Sequence, residues 1–152
     1  GKARYSYGQH CMEKQFTLEE TLATDLSQVM PLVERIAQEV LALPASQEET
    51  FQVKLALEEA LTNAMRHGNL LIAKQVVTVK VKASRERIIL DIHDQGKGFD
   101  FSNLRDPTRG ENTGRISGRG VFLMRKLMDD IEFYDAGSGV KMVKTFRLRP
   151  GV

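Results

Sequence analysis

Tryptophan is absent from the 152 residues, cysteine occurs once, as Cys11, and proline only four times. A single cysteine excludes an internal disulfide, so no covalent staple holds the fold, and it suits a reducing cytoplasmic setting. Long apolar runs are missing too. Charges interrupt each one well short of a bilayer's thickness. No apolar segment follows a basic start in the manner of a secretory leader. Nor is there a surplus of one charge: 22 basic against 20 acidic side chains leave +2 at pH 7, without the basic bias of a nucleic-acid binder. What is present, 41% hydrophobic and 28% charged residues, is the composition of a globular domain of a size that buries one core. The first residue is Gly1 rather than Met. Residues 1–12, with the segment KARYSYGQH, are expected to be a tail or a linker from a longer protein, and residues 13–150 a single domain.

Periodicity lays out the elements. Glu13–Glu19 alternates weakly and predicts a short strand. From Leu26 to Leu43, the positions Leu26, Val29, Met30, Val33, Ile36, Ala37, Val40 and Leu41 form one helical stripe, with Asp25 as cap and Pro44 as stop. Ser46 with Glu49 makes a capping box. The helix it opens near Gln47 runs past Asn63 to Gly68, expected as a left-handed terminator. Gln75–Ala83 alternates strictly, and Arg87–Asp94 follows a short polar turn, predicting an antiparallel hairpin. Residues 95–117 are rich in Gly, Pro and Asn and lack periodicity, and a loop of that length is usually functional. A helix over about Gly120–Asp129 and a second hairpin, IEFYDAG and VKMVKTFRL, close the chain. Strands that come in hairpins, with helices between, predict an α+β fold: a two-layer sandwich with helices on one face of a mixed, mainly antiparallel sheet.

Three stretches carry chemistry. In EEALTNAMRHGN, Glu59, Asn63 and His67 stand four residues apart. Each such step moves only about 40° around a helix, so the three share one row, at the edge of the face formed by Val53, Leu57, Ala60, Leu61 and Ala64. Such a row is commonly just a solvated side. Asn, however, is a poor interior helix residue and a neutral oxygen ligand suited to Mg²⁺ beside phosphates. In DQGKG, Asp94 ends a strand and its ionised carboxylate only accepts, which suits an exocyclic amino group such as N6 of adenine. Gly96 and Gly98 let the backbone turn sharply or approach a flat ligand. In SGRG, Gly118 and Gly120 open a helix whose first amides lack partners and attract anions, with Arg115 and Arg119 adding charge.

In this order the motifs resemble the N, G1 and G2 boxes of the GHKL, or Bergerat-fold, ATP-binding superfamily. The stretches EEALTNAMRHGN and SGRGVFLMRKLMDDIEFY look like the anti-sigma factor serine/threonine kinases of bacterial partner-switching systems, and the likeness runs from about Glu13 to Arg149. The resemblance implies ATP/ADP and Mg²⁺ as cofactors. It implies Glu59 as general base, Asn63 as Mg²⁺ ligand and Asp94 as the adenine selector, with Gly96 and Gly98 shaping the adenine pocket. It further implies Gly118 and Gly120 at the phosphates and residues 99–117 as the ATP lid. The partners it implies are an anti-anti-sigma (STAS-type) protein carrying the accepting Ser or Thr, a sigma factor, and a second copy of the chain; no nucleic acid or membrane is expected. His67 is expected to orient the helix end rather than to take part in chemistry, and none of His10, His67 or His93 lies in a histidine kinase's dimerisation helix. Two alternatives remain open at this point: a nucleotide-sensing module of a larger signalling protein, and an interaction domain that binds no nucleotide.

Overall fold

The structure, a computed structural model, describes residues 3–7, 15–97 and 118–147, without the side chains of Tyr7 and Arg119. Six strands and three helices are found there: β1 (Ala3–Tyr7), β2 (Phe16–Ala23), α1 (Val29–Leu41), α2 (Gln47–Asn63), β3 (Val76–Ala83), β4 (Arg87–His93), α3 (Gly118–Leu127), β5 (Asp130–Tyr134) and β6 (Gly139–Thr145). The strands form one open sheet in the order β1-β2-β3-β4-β6-β5. Every neighbouring pair is antiparallel, so the mixed character expected of the sheet is not found among the described residues.

Alternation decides which face of the sheet is covered. Val77, Val79 and Val81 on β3 and Ile88, Leu90 and Ile92 on β4 are all at most 3% exposed, whereas Lys80 and Lys82 face solvent. The buried face meets α1 through Val29, Leu32, Val33, Ile36, Ala37 and Val40, and α2 through Val53, Ala56, Leu57, Ala60 and Leu61. Each large side chain so buried contributes roughly 1.5–3 kcal/mol. The predicted stripe of α1 needs correction: Met30 and Leu41 are 42% and 53% exposed, and Leu32, fully buried, takes their place. Its first turn, Leu26–Gln28, is a 3₁₀ turn capped by the Asp25 side chain, which accepts from Ser27 N.

Local signals set the helix boundaries. Ser46 Oγ accepts from Glu49 N and Glu49 Oε1 accepts from Ser46 N, both at 2.9 Å, closing the capping box at the head of α2. The first strand lies later than expected, at Phe16–Ala23 rather than Glu13–Glu19. The segment read as a tail contains an edge strand instead: β1 pairs residue for residue with β2. A long-range polar link ties it in place. The Arg35 guanidinium donates to both Glu20 carboxylate oxygens at 2.9 Å and to Tyr5 Oη at 3.1 Å, joining α1, β2 and β1.

Antiparallel pairing also gathers strand ends. Ala23 lies opposite Val76, Thr78 opposite His93, and His93 opposite Gly139. Thr24, Val76, Asp94 and Ser138 therefore collect at one end of the sheet. No helix among the described residues is long and apolar enough to cross a membrane.

Candidate nucleotide site

The polar row on α2 sits beside the head of α3. A Cβ built on Gly120 would lie 2.8 Å from Glu59 Oε2 and 3.0 Å from Asn63 Nδ2, so only a glycine lets α3 come this close to the two side chains. Glu59 is partly buried. That burial, aided by the neighbouring Glu58 charge, raises its pKa above the usual carboxylate value. Asn63 is 7% exposed and its Nδ2 has no hydrogen-bond partner among the described residues. A buried amide left unpaired costs about 1–3 kcal/mol, so native structures rarely hold one without a reason.

His67 does not continue the row in the expected way. The α-helix ends at Asn63 and opens into a π-turn over Ala64–Gly68, closed by Asn69 N donating to Ala64 O at 2.8 Å. Such wider turns recur at functional sites. They shift the residues that follow out of α-helical register, so the shared row reaches only from Glu59 to Asn63. Gly68 is not the left-handed terminator expected. Positive φ falls two residues later, at Leu70 (51°) and Leu71 (57°). The role of Gly68 is close approach: a Cβ there would lie 2.2 Å from Asp94 Oδ2.

Asp94 is thereby placed against the end of the same helical segment. It is 6% exposed, and Oδ1 accepts from Gly96 N at 2.8 Å. Burial raises its pKa, partly countered by that hydrogen bond and by His93. Gly96 packs on the Gly68 carbonyl, where a Cβ would come within 2.0 Å of the oxygen. The result is a carboxylate in a narrow slot walled by two backbones, a shape suited to an edge of a flat ring. On its far side Asp94 N donates to Ser138 O at 2.9 Å, and the Ser138 hydroxyl, 7% exposed, donates to Asp135 O.

Of the residues singled out from the sequence, Glu59, Asn63 and Gly120 meet directly, and Asp94 and Gly96 meet at Gly68, five residues beyond Asn63. Gly118 lies in the first turn of α3, as does the backbone of Arg119. Gly98, Arg115 and the 99–117 segment lie outside the described residues. Sequence reasoning missed Gly68 as a wall of the slot, and with it Ser138 and Asn69. Asn69 is fully buried and hydrogen-bonded on every side. The Asn immediately after Gly68 was in view, but its burial was not.

An antiparallel sheet under helices, with Glu59 and Asn63 beside the head of α3 and Asp94 at the strand ends, is consistent with an ATPase-type nucleotide-binding domain. Residues 22–144 match the histidine kinase-like ATPase domain family, and the chain belongs to it. Membership of this family implies binding of ATP and ADP. It is similar to serine-protein kinase RsbW of Listeria monocytogenes serovar 1/2a and of Listeria innocua serovar 6a, each 30% identical over 106 residues, 65% of this chain and 68% of the relative. RsbW of Staphylococcus epidermidis is 32% identical over 108 residues, 66% of this chain and 68% of the relative.

Proposed function

We propose that the protein is an ATP-dependent serine/threonine protein kinase of anti-sigma-factor type. It phosphorylates a Ser or Thr of a STAS-type anti-anti-sigma protein in the cytoplasm and also binds a sigma factor, acting as a homodimer. The observation that carries this reading is that the partly buried Glu59 carboxylate and Asn63, whose Nδ2 has no hydrogen-bond partner among the described residues, stand together against Gly120 in the first turn of α3. A domain that only sensed nucleotide would have no use for a base at that point.

The residues fit the expected groups. Asn63 is 7% exposed and stands beside Gly120, and its side-chain oxygen is a neutral ligand of the kind that suits a Mg²⁺ ion whose other ligands come from phosphates. Bound there, Mg²⁺ supplies charge neutralisation at the phosphates. Asp94 accepts from the adenine amino group between the Gly68 and Gly96 backbones. The first amides of α3, from Gly118 to Gly120, are the groups that would receive the phosphates. Phosphoryl transfer rests mainly on positioning and charge. Glu59 accepts the proton of the partner's hydroxyl as that oxygen bonds to the γ-phosphorus of substrate ATP, the bond to the β,γ-bridging oxygen breaks, and ADP departs.

The test is transfer of γ-labelled phosphate from ATP to the STAS-type proteins of the same cell, with the modified residue located by mass spectrometry. Label on one Ser or Thr is expected. ATP-dependent binding of such a partner without any label would instead make the domain a nucleotide-sensing module.

A further inference from the structure

Asn69 is 0% exposed, and its amide makes hydrogen bonds in three directions. Oδ1 accepts from Gln95 N at 2.8 Å, while Nδ2 donates to Thr24 Oγ1 at 2.8 Å and to Val76 O at 3.0 Å. The orientation of the amide is not open to exchange. Val76 O can only accept and Gln95 N can only donate, so nitrogen must face the first and oxygen the second. Thr24 agrees with this polarity: its hydroxyl donates to Gln75 O at 2.7 Å and so accepts from Asn69. The Gln95 side chain adds a second anchor, its Oε1 accepting from Val76 N at 2.8 Å.

Gln95 lies between Asp94 and Gly96, whose N–H holds the Asp94 carboxylate. Resting on the nucleotide-binding reading above, we propose that Asn69 is the positioning residue of the adenine slot. By pinning Gln95 N to the ends of β2 and β3, it sets where the Asp94 carboxylate stands and thereby the preference for adenine over guanine. Asn69 touches no nucleotide itself. A carboxylate in place of the amide would keep an acceptor for Gln95 N but would confront Val76 O with a second acceptor. Alanine would leave Gln95 N without its partner. Adenine offers an amino hydrogen to Asp94 where guanine offers an oxygen, so displacement of that carboxylate erodes the discrimination between them.

The test is calorimetric titration of the full chain with ATP and with GTP, each variant held below its own unfolding temperature. Asn69→Ala and Asn69→Asp are expected to lower ATP affinity by about 10- to 100-fold, the loss of one charged hydrogen bond, and to shrink the ATP-to-GTP ratio with it. Thr24→Val, which removes only the hydroxyl behind the amide, is expected to move the ratio in the same direction by less. A lowered melting temperature alone would mark a structural role. ATP affinity and ratio unchanged in folded Asn69→Ala therefore overturn the proposal. Should that variant fail to fold, an unchanged ratio in both Thr24→Val and Gln95→Ala overturns it as well. A parent chain that binds no ATP defeats the nucleotide reading itself, and this proposal with it.

Discussion

The two ends of the site are built on opposite plans. At the strand ends, Asp94, Gln95, Asn69, Thr24 and Ser138 form a closed hydrogen-bonded frame. At the head of α3, Asn63 Nδ2 is buried without a partner among the described residues; burial raises the pKa of the carboxyl group at both ends, Glu59 and Asp94. A hydrogen-bonded frame fixes a shape before any ligand arrives, which suits recognition of a rigid base. Unsatisfied groups store free energy that a ligand releases, which suits a charged group that arrives, reacts and leaves. The difference lies in the two asparagine amides: that of Asn69 is hydrogen-bonded through both its atoms, whereas Asn63 Nδ2 has no partner among the described residues.

Breaking the reacting end gives the largest expected effect. Glu59→Gln is expected to lower phosphoryl transfer by about 10²–10⁴-fold, the usual contribution of a general base, with ATP affinity retained; single-turnover rates and calorimetry check the two halves. The base works deprotonated, so transfer in the parent rises with pH through the Glu59 pKa and is lost as pH falls below it. Because burial raises that pKa, the acid limb is expected above the value of about 4.3 for a free Glu. A limb at or below that value would contradict the assignment.

Breaking the recognising end comes next. Asp94→Asn turns one acceptor into a donor opposite the adenine amino group and is expected to weaken ATP binding by about 10- to 100-fold, the worth of a charged hydrogen bond. Unchanged affinity in titration would remove Asp94 from the slot.

A change at Asn63 sharpens the comparison by its sign. Asn63→Ala removes the buried Nδ2 that has no partner among the described residues and is expected to stabilise the ligand-free protein by about 1 kcal/mol, while the extra stabilisation given by ATP with Mg²⁺ shrinks. Thermal unfolding with and without Mg–ATP reads both, and destabilisation without ligand would show that the amide has a partner after all. The smallest effect is expected away from either end. Ser46→Ala breaks the capping box of α2 and lowers stability by about 1 kcal/mol without altering ATP affinity.

Much of the architecture was legible because its causes are local. The capping box, the Asp25 cap and both hairpins follow from residues within a few positions of each other. The edge strand β1 was not legible, since the Arg35–Glu20–Tyr5 link that secures it joins residues 15 and 30 positions apart. Insertion of β6 between β4 and β5 rests on pairings between distant segments in the same way. Within the site, the residue types at Glu59, Asn63, Asp94 and Gly120 were visible as motifs. The misreading of Gly68 shows the limit: glycine after a helix usually signals a turn, and here the missing side chain instead makes room for Asp94.

The sequence by itself determined the kinds of element, where the helices begin, and which polar residues stand near glycines, because propensity, alternation and capping act over a few residues. Only the tertiary structure decided which of those polar groups are satisfied. Asn69 meets Thr24 across 45 positions and Gln95 across 26, whereas Asn63 Nδ2 has no hydrogen-bond partner among the described residues. Hydrogen bonds are short and directional, so their partners emerge only once the sheet has brought distant strand ends together.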